Sequence, residues 1–577
     1  MTIACARTLL ALMLSVSILA VTGCDGDDDR TQSGVERLFP TDDNPVQPYS
    51  NCLFTSPKWY ESGDDNWIIV SRAAGKIEGI DPNTGQTDWS VELPQPDTGV
   101  PYLLATPAIV GDKLIAAYHA IDSDYGDYRG PNDQRLAHLV AVVDLDEQRV
   151  DPSFPVVELE AEVESNEDGE TTEFLPGQAL TRPRVVHAGT DGDLGRVYLG
   201  QGNTRDIQPW HGWAWEIDLD DWRDDGAQAA ITGVLNTTPE PAENCGEHGQ
   251  PGSRQRQCGG GLWAPSGHLV VEEDDDSYHL ILAPGNGQLD LNRDDYANTL
   301  MKVEPGLDFD PGCDDEACAD FDPDAPSTAC MESCENLFIP RLLPDQQLQR
   351  APDGRCDDLD TLFECWGEMD YIGGSTPVDI EVDDHNLLVY PTKDGHAYLV
   401  DADHLGTMYD RHRMVEMCGH NGGDCSRIWA GMSVTKPLRT EIDGRPAVLI
   451  PTFMPDNTNP AGLVALQIEE VDGEPKLEQV WEYPDFEDNR AVQRFRNHPS
   501  RVAMGADGQY AWIVDIESPS GRLTGVRIDD GEPVYSTRLE DPGRRYTLPL
   551  VRDDRLYVSS CHRNAGPGQL EGYRLTE

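Results

Sequence analysis

The sequence predicts an all-β protein, an eight-bladed β-propeller of four-stranded blades, on three observations. A unit recurs along the chain. Its clearest copy runs Asn66-Trp67-Ile68-Ile69-Val70, Gly75-Lys76-Ile77-Glu78-Gly79-Ile80-Asp81, Thr84-Gly85 and Trp89-Ser90-Val91-Glu92-Leu93. It reads as a strand, a turn, a second strand, a tight turn and a closing strand that opens on an aromatic. Eight prolines, Pro57, Pro107, Pro183, Pro265, Pro377, Pro437, Pro499 and Pro549, stand where the first strand of each unit would begin, positions at which the missing N–H costs no ladder bond. Their spacings of 50 to 112 residues each hold one blade of roughly 40–50 residues, the longer ones with an insertion. Composition agrees: 54 Gly, 42 Pro and 7% aromatic residues suit many short strands and turns better than long helices.

Two further copies are clear. Asn386-Leu387-Leu388-Val389-Tyr390 precedes Lys393-Asp394-Gly395-His396-Ala397-Tyr398-Leu399-Val400-Asp401, and Ala511-Trp512-Ile513-Val514-Asp515 precedes Gly521-Arg522-Leu523-Thr524-Gly525-Val526-Arg527-Ile528. Weaker units keep the central strand pair at 114–117 with 139–144, 197–199 with 214–218, 280–282 with 299–303, and 448–450 with 462–466. The last unit, 555–559 with 569–575, stops one strand short, which would leave an open edge. Residues near 35–39 are therefore expected to supply that strand and close the ring.

The domain order follows: 1–23 an export signal, 24–50 an acidic tether with the ring-closing strand, 51–577 the propeller, and 304–371 a Cys-rich acidic insertion within it. Arg7 and the apolar run 9–21 have the pattern of a secretory signal, too short to span a bilayer. Val21-Thr22-Gly23-Cys24 resembles the bacterial lipobox, so Cys24 is expected to be the lipidated N-terminus and to tie the chain to a membrane. Asp25 resembles an inner-membrane retention signal of enterobacterial lipoproteins, a rule other lineages do not keep, so inner and outer membrane both stay open. The expected location is the bacterial cell envelope.

With 43 Lys+Arg against 105 Asp+Glu, the formal charge is −62. That excess argues against nucleic acid or anionic lipid as the main partner, since both would be repelled. Only seven of the basic residues are lysine, a pattern compatible with salty surroundings, where screening relieves self-repulsion.

Of 14 cysteines, Cys5 leaves with the signal and Cys24 takes the lipid. The remaining even set in an exported chain favours disulfides. Cys245 with Cys258 and Cys418 with Cys425 would close local loops, and Cys52 with Cys561 would join the chain ends. For Cys313, Cys318, Cys330, Cys334, Cys356 and Cys365 every connectivity stays open, with zinc the alternative for this cluster despite its irregular spacing. The insertion also carries Asp308, Asp310, Asp314, Asp315, Asp320 and Asp322. Hard cations want such carboxylates on a flexible loop, so calcium is one reading and a solvated acidic loop the other, because no spacing matches a 12-residue calcium loop. Residues 329–338 could form a short helix with both thiols on one face. The histidines show no ligand pattern, and His211 and His420 read as packing or surface residues.

The Asp-Gly-x-x-Tyr-x-x-Asp turn and the Thr-Gly-x-x-x-Trp ending of the repeat resemble the pyrroloquinoline-quinone-like repeat of eight-bladed propellers, over most of residues 52–577. The resemblance implies one of two functions: a quinoprotein dehydrogenase, or a catalytically empty scaffold such as the propeller lipoprotein of the outer-membrane barrel-assembly machinery. Gly261-Leu262-Trp263-Ala264-Pro265, Ala283-Pro284-Gly285-Asn286-Gly287 and Tyr296-Ala297-Asn298-Thr299-Leu300 are similar to the blade where quinoproteins bind calcium beside the quinone, and a metal role would carry onto Asn286 alone. The vicinal Cys-Cys pair, the Cys-x-x-Cys-His haem site and a clear Asp-x-Trp-Asp segment of the enzymes are absent from the sequence. Trp89, Trp263 and Trp481 then read as blade-packing aromatics. The expectation is a non-catalytic, lipid-anchored scaffold that binds an envelope protein, without quinone, the alternative being a quinone- and calcium-dependent oxidoreductase. The candidate recognition surfaces are 304–371, 119–135 and 237–261; the oligomeric state stays open.

Overall fold

The computed structural model describes residues 34–576 apart from 47, 50–51, 123–134, 168, 190–192, 204–208, 242–243, 246–257, 274–276, 345–372, 415–434, 453–461, 485–498, 516–520, 542, 544–545 and 562–566. Eight antiparallel sheets follow one another as blades around a ring. Blade 1 is Lys58–Ser62, Asp65–Arg72, Lys76–Ile80 and Thr87–Glu92. Blades 3 to 7 open on Val186–Ala188, Leu269–Glu272, Val378–Val382, Leu438–Ile442 and Ala503–Met504. Each opening strand lies within a few residues of its predicted proline.

Blade 2 departs from the repeat. Its central strands, Lys113–Ile121 and Arg135–Asp144, are 9 and 10 residues long. They leave room for two short partners on each side: Val100–Tyr102 and Ala108–Val110 on one, Arg149–Val150 and Val157–Glu158 on the other.

The ring closes as the truncated last repeat requires. Val35–Phe39 pairs antiparallel with Gly568–Leu575, Val35 opposite Leu575 and Phe39 opposite Gly572, and completes the blade begun by Leu550–Arg552 and Arg555–Cys561. The Cys52–Cys561 disulfide fastens the same seam, with Cα atoms 4.9 Å apart.

The core is eight apolar clusters, one in each interface between neighbouring blades. Strand alternation assigns each side chain its neighbour. In blade 5, Leu387, Val389 and Leu399 pack toward blade 6, while Leu388, Tyr390, Tyr398 and Val400 pack toward blade 4. Both faces of the central strands are covered, which is why their sequence is a continuous apolar run. The conformational role of glycine is clearest at Gly79, opposite Trp89 in the ladder, where any Cβ would collide with the indole.

In the insertion, residues 304–336 leave after Leu300–Val303 and return as Leu337–Phe338, the fourth strand of blade 4. The helix expected over 329–338 is shorter: it spans Thr328–Ser333, capped by Ser327 Oγ on the Cys330 amide at 3.2 Å. Leu337 and Phe338 are fully buried against Met301 and Leu300, and that burial takes them into the sheet instead. Cys318 is bonded to Cys330 and Cys313 to Cys334. Leu405 N–H donates to Glu335 O at 2.9 Å, Gly406 N–H to Cys334 O at 2.8 Å, and Gly306 N–H to Glu216 Oε2 at 2.6 Å. The insertion is thus clamped to blades 3 and 5 as well as to its own.

Candidate functional site

The inner ends of the blades are tied by a belt of hydrogen bonds at the prolines. Leu548 N–H donates to Ser56 Oγ at 2.8 Å and Ser56 N–H to Thr106 Oγ1 at 3.0 Å. Val185 N–H donates to Thr106 O at 2.9 Å, Arg184 N–H to Pro265 O at 3.2 Å, and Arg501 N–H to Thr547 O at 3.0 Å. Residues beside the prolines therefore face the axis of the ring.

Trp263 is delivered to that axis by the glycine run before it. Gly259 and Gly260 adopt φ of +108° and +66°. Gly259 N–H donates to Trp210 O, Gly260 N–H to Asn286 O and Leu262 N–H to Gln201 O, while Gly261 O accepts from Gly285 N–H. The segment is held between blades 3 and 4, so the next side chain projects inward. Its indole packs against the blade 6–7 cluster and carries the Lys393 ammonium at 4.6 Å and the Arg182 guanidinium at 5.2 Å from its centroid. Arg182 also lies 5.0 Å from the Tyr546 ring. One indole network that touches blades 3, 5, 6 and the linker into blade 8 lies on the axis. This corrects the reading of Trp263 as a blade-packing aromatic. Trp89 and Trp481, each 9% exposed, do pack as blade aromatics: Trp89 covers Gly79 of its own blade, and Trp481 lies between blades 6 and 7, where its Nε1–H donates to Ile528 O at 2.9 Å.

Gly374 sits over the indole at φ +81°, and a Cβ there would overlap the ring. Gly374→Ala is expected to cost about 3 kcal/mol through backbone strain and overpacking. Denaturant midpoints check it: the cost should shrink in a Trp263→Leu background, and an equal cost in both would refute the contact.

A second set of cations stands beside the prolines: Lys58 in blade 1, Arg184 in blade 3, Lys436 in blade 6 and Arg501 in blade 7. Burial, with Arg184 and Arg501 nearby, lowers the Lys58 ammonium to about 7, and burial beside Arg184 lowers Arg501 to about 9. Sequence reasoning missed this set, although each member lies within two residues of a blade-start proline in a chain poor in cations.

The other expected sites are placed as follows. Cys245 is bonded to Cys258, with Cα atoms 5.1 Å apart. His211 is buried against this bridge: its Nδ1–H donates to Thr238 O at 2.7 Å, and Nε2 lies 3.8 Å from Cys245 Sγ. Asp308, Asp310, Asp314, Asp315, Asp320 and Asp322 are all exposed. Asp310 Oδ1 accepts from the Gly312 amide at 2.9 Å, Asp314 Oδ1 from Glu316 and Ala317, and Asp322 Oδ1 from Asp324 at 3.0 Å. These carboxylates build turns; among the described residues, no three of them bring ligand oxygens within 4.8 Å of one another. Asn286 is 7% exposed, its carbonyl taken by Gly260 N–H. Cys24, Cys356, Cys365, Cys418, Cys425 and His420 lie outside the described residues.

No protein-family model and no curated protein matches the chain. Among solved structures, the fold is similar to a quinohemoprotein alcohol dehydrogenase, ADHIIG from Pseudomonas putida HK5, at TM-score 0.51 and 11% identity, over 95% of this chain and 77% of that one. BamB from Moraxella catarrhalis matches at TM-score 0.42 and 11% identity, over 92% and 98% of the two chains. A europium-containing methanol dehydrogenase matches at 0.49 and 11%, over 94% and 93%. The likeness to the first of these is one of fold, and the fold is an eight-bladed β-propeller of antiparallel sheets.

A quinone with calcium requires a carboxylate base, a metal cage and stacking walls together. Here the indole carries an ammonium and a guanidinium, with Lys393 fully buried. Two cations at this position would repel a divalent metal placed over the indole.

Proposed function

We propose that this chain is a lipid-anchored propeller of the bacterial cell envelope that acts as a protein-binding or assembly scaffold. The observation that carries this reading is the Cys-rich insertion. Two disulfides within residues 313–334 and backbone bonds to blade 5 hold it in one shape, while Asp308, Asp310, Asp314, Asp315, Asp320 and Asp322 face solvent. A rigid ring that presents a preorganised loop is suited to recognition, because little ordering entropy is lost on binding. Cys24 supplies the anchor, and an envelope protein meets the rim.

The test is site-specific photocrosslinking in native membranes from Asp315 and Asp322, with Glu478 on the outer strand of blade 6 as control. The expected result is one discrete envelope-protein adduct from both insertion sites, none from Glu478, and loss of the adduct when Cys24→Ala releases the chain from the membrane. Adducts of equal yield from all three positions would sink the scaffold reading.

A second reading, a quinoprotein oxidoreductase, is favoured by the axial placement of Trp263. Reconstitution with the quinone and calcium, followed by dye reduction over a panel of alcohols and sugars, decides it. Turnover that is lost in Trp263→Ala would replace the scaffold reading.

A further inference from the structure

The chain carries 43 cationic side chains against 105 anionic ones, yet four of the cations converge where the fold brings the blades closest together. Lys58, Arg184, Lys436 and Arg501 occupy equivalent places, within two residues of Pro57, Pro183, Pro437 and Pro499, at the inner ends of blades 1, 3, 6 and 7. In an eight-membered ring blade 3 stands opposite blade 7, so these side chains meet across the axis. Each of the set is electrostatically coupled to others: Lys58 to Arg184 and Arg501, Arg501 to Arg184, and Lys436 to both arginines.

Surface cations in this protein are ordinarily paired. Arg196 pairs with Glu216 and Asp218, Arg293 with Glu167 and Glu240, and Lys113 with Asp112, Asp144 and Asp151. Among the described residues none of the four axial cations has a carboxylate in ion-pair contact; Asp379, the carboxylate that acts on Lys436 from a distance, is itself 3.7 Å from Arg439. Arg501 is only 8% exposed, and its Nε has no hydrogen-bond partner; the Nε of Arg184 is likewise buried and unpartnered. An unpaired buried charge is costly, and like charges in proximity add to the cost. Guanidinium forks and ammonium groups directed at one space match the tetrahedral or planar oxygens of phosphate and carboxylate.

We propose that the axial channel between Lys58, Arg184, Lys436 and Arg501 is a binding site for a small, multiply charged oxyanion of the phosphate or polycarboxylate type. The site is built on the inner strands, independent of the rim insertion, and holds whether or not the chain is a scaffold. Occupancy neutralises the repulsion at the centre of the ring, so the anion also acts as a pin between blades that face each other.

The test is titration calorimetry and thermal melting of the intact protein in phosphate-free, sulfate-free buffer. The probes are inorganic phosphate, tripolyphosphate and citrate, each against sodium chloride at matched ionic strength. The expected result is one saturable site for at least one probe, tightest for the ligand of highest charge, with a rise in melting temperature that chloride does not reproduce. Preference among the phosphates or for citrate then identifies the headgroup. Arg501→Gln and, separately, Lys58→Gln with Lys436→Gln should each weaken binding at least tenfold, whereas Arg223→Gln on the outer surface should not. Because Arg501 is deeply buried, the lysine pair keeps the test informative if Arg501→Gln fails to fold. The proposal is overturned if no probe binds saturably, if chloride stabilises equally, or if the lysine variant folds and binds as tightly as the parent.

Discussion

A variant that loses both fasteners of the ring, Cys52→Ser with Cys561→Ser and Phe39→Ala, is expected not to close into a propeller at all. Each fastener acts on the same seam by a different physical route. The bridge links residues 509 apart in sequence. Chain-entropy arithmetic for so long a loop assigns it about 6 kcal/mol, since a cross-link removes more freedom from the unfolded chain as the loop lengthens. Phe39 acts on the folded side. It is fully buried on the strand that pairs with Gly568–Leu575 and completes blade 8, rests on Gly85 and Gly572 where larger side chains would collide, and stacks on Tyr557 at 6.1 Å. Truncation of such a side chain to alanine costs about 3–5 kcal/mol. The two losses together reach the whole stability of an ordinary domain, about 5–15 kcal/mol. The bridgeless protein and Phe39→Ala should therefore each fold with a lowered guanidinium midpoint, while the combination should lose its cooperative transition. A combination no less stable than the weaker single variant would mean that the seam is not what holds the ring.

The ring was legible in the sequence because its rules are local. Short apolar runs bounded by turn residues, such as 386–390 and 396–401, fix strands, the prolines fix their starts, and a repeat that ends one strand early demands a closing partner elsewhere. The doubled edge strands of blade 2 were not legible, since nothing in the residues at 100–102 or 157–158 separates a ladder partner from a loop. The axial site was legible only in part. Trp263 stood out as an aromatic, but the choice between packing inside a blade and crossing the axis depends on the hydrogen bonds of Gly259, Gly260 and Gly261 to blades on either side. The cations at 58, 184, 436 and 501 are separated by tens to hundreds of residues. They form one feature only when closure brings eight equivalent positions into a circle. A periodic fold makes such a feature visible in principle: aligning the chain on its eight prolines and reading down the columns beside them would have found it.

Acidification from pH 6.5 to about 4.5 is expected to unfold the protein, through imidazoles that the fold holds neutral. His119 and His138 are buried edge to face, 4.6 Å apart, beside Arg135. The Thr181 amide donates to His119 Nε2 at 3.0 Å, an acceptance only the neutral ring can make. Burial depresses His119 well below its ordinary value and brings His138 to about 3 and His211 and His268 to about 4. A base whose folded value lies below its unfolded value binds its proton first in the unfolded chain. The stability it contributes is complete above about pH 6.5 and is lost as the pH falls toward the folded value. Each histidine contributes a slope of about 1.4 kcal/mol per pH unit in that window, so four together give about 5 kcal/mol per unit. Asp394, held low by His396 and Arg411 against its burial, adds a loss of the same sign in stronger acid. Two effects oppose it. Glu571 is raised by burial, so its protonation relieves a cost, and protonation of surface carboxylates reduces the repulsion of a −62 chain. Those carboxylates titrate mainly below pH 5, after the imidazoles have already moved the balance. Chemical denaturation at half-unit steps should show stability falling steeply from pH 6.5, with His138→Gln shallower by about 1.4 kcal/mol per unit. A flat profile down to pH 5 would mean that these imidazoles accept protons without leaving the fold.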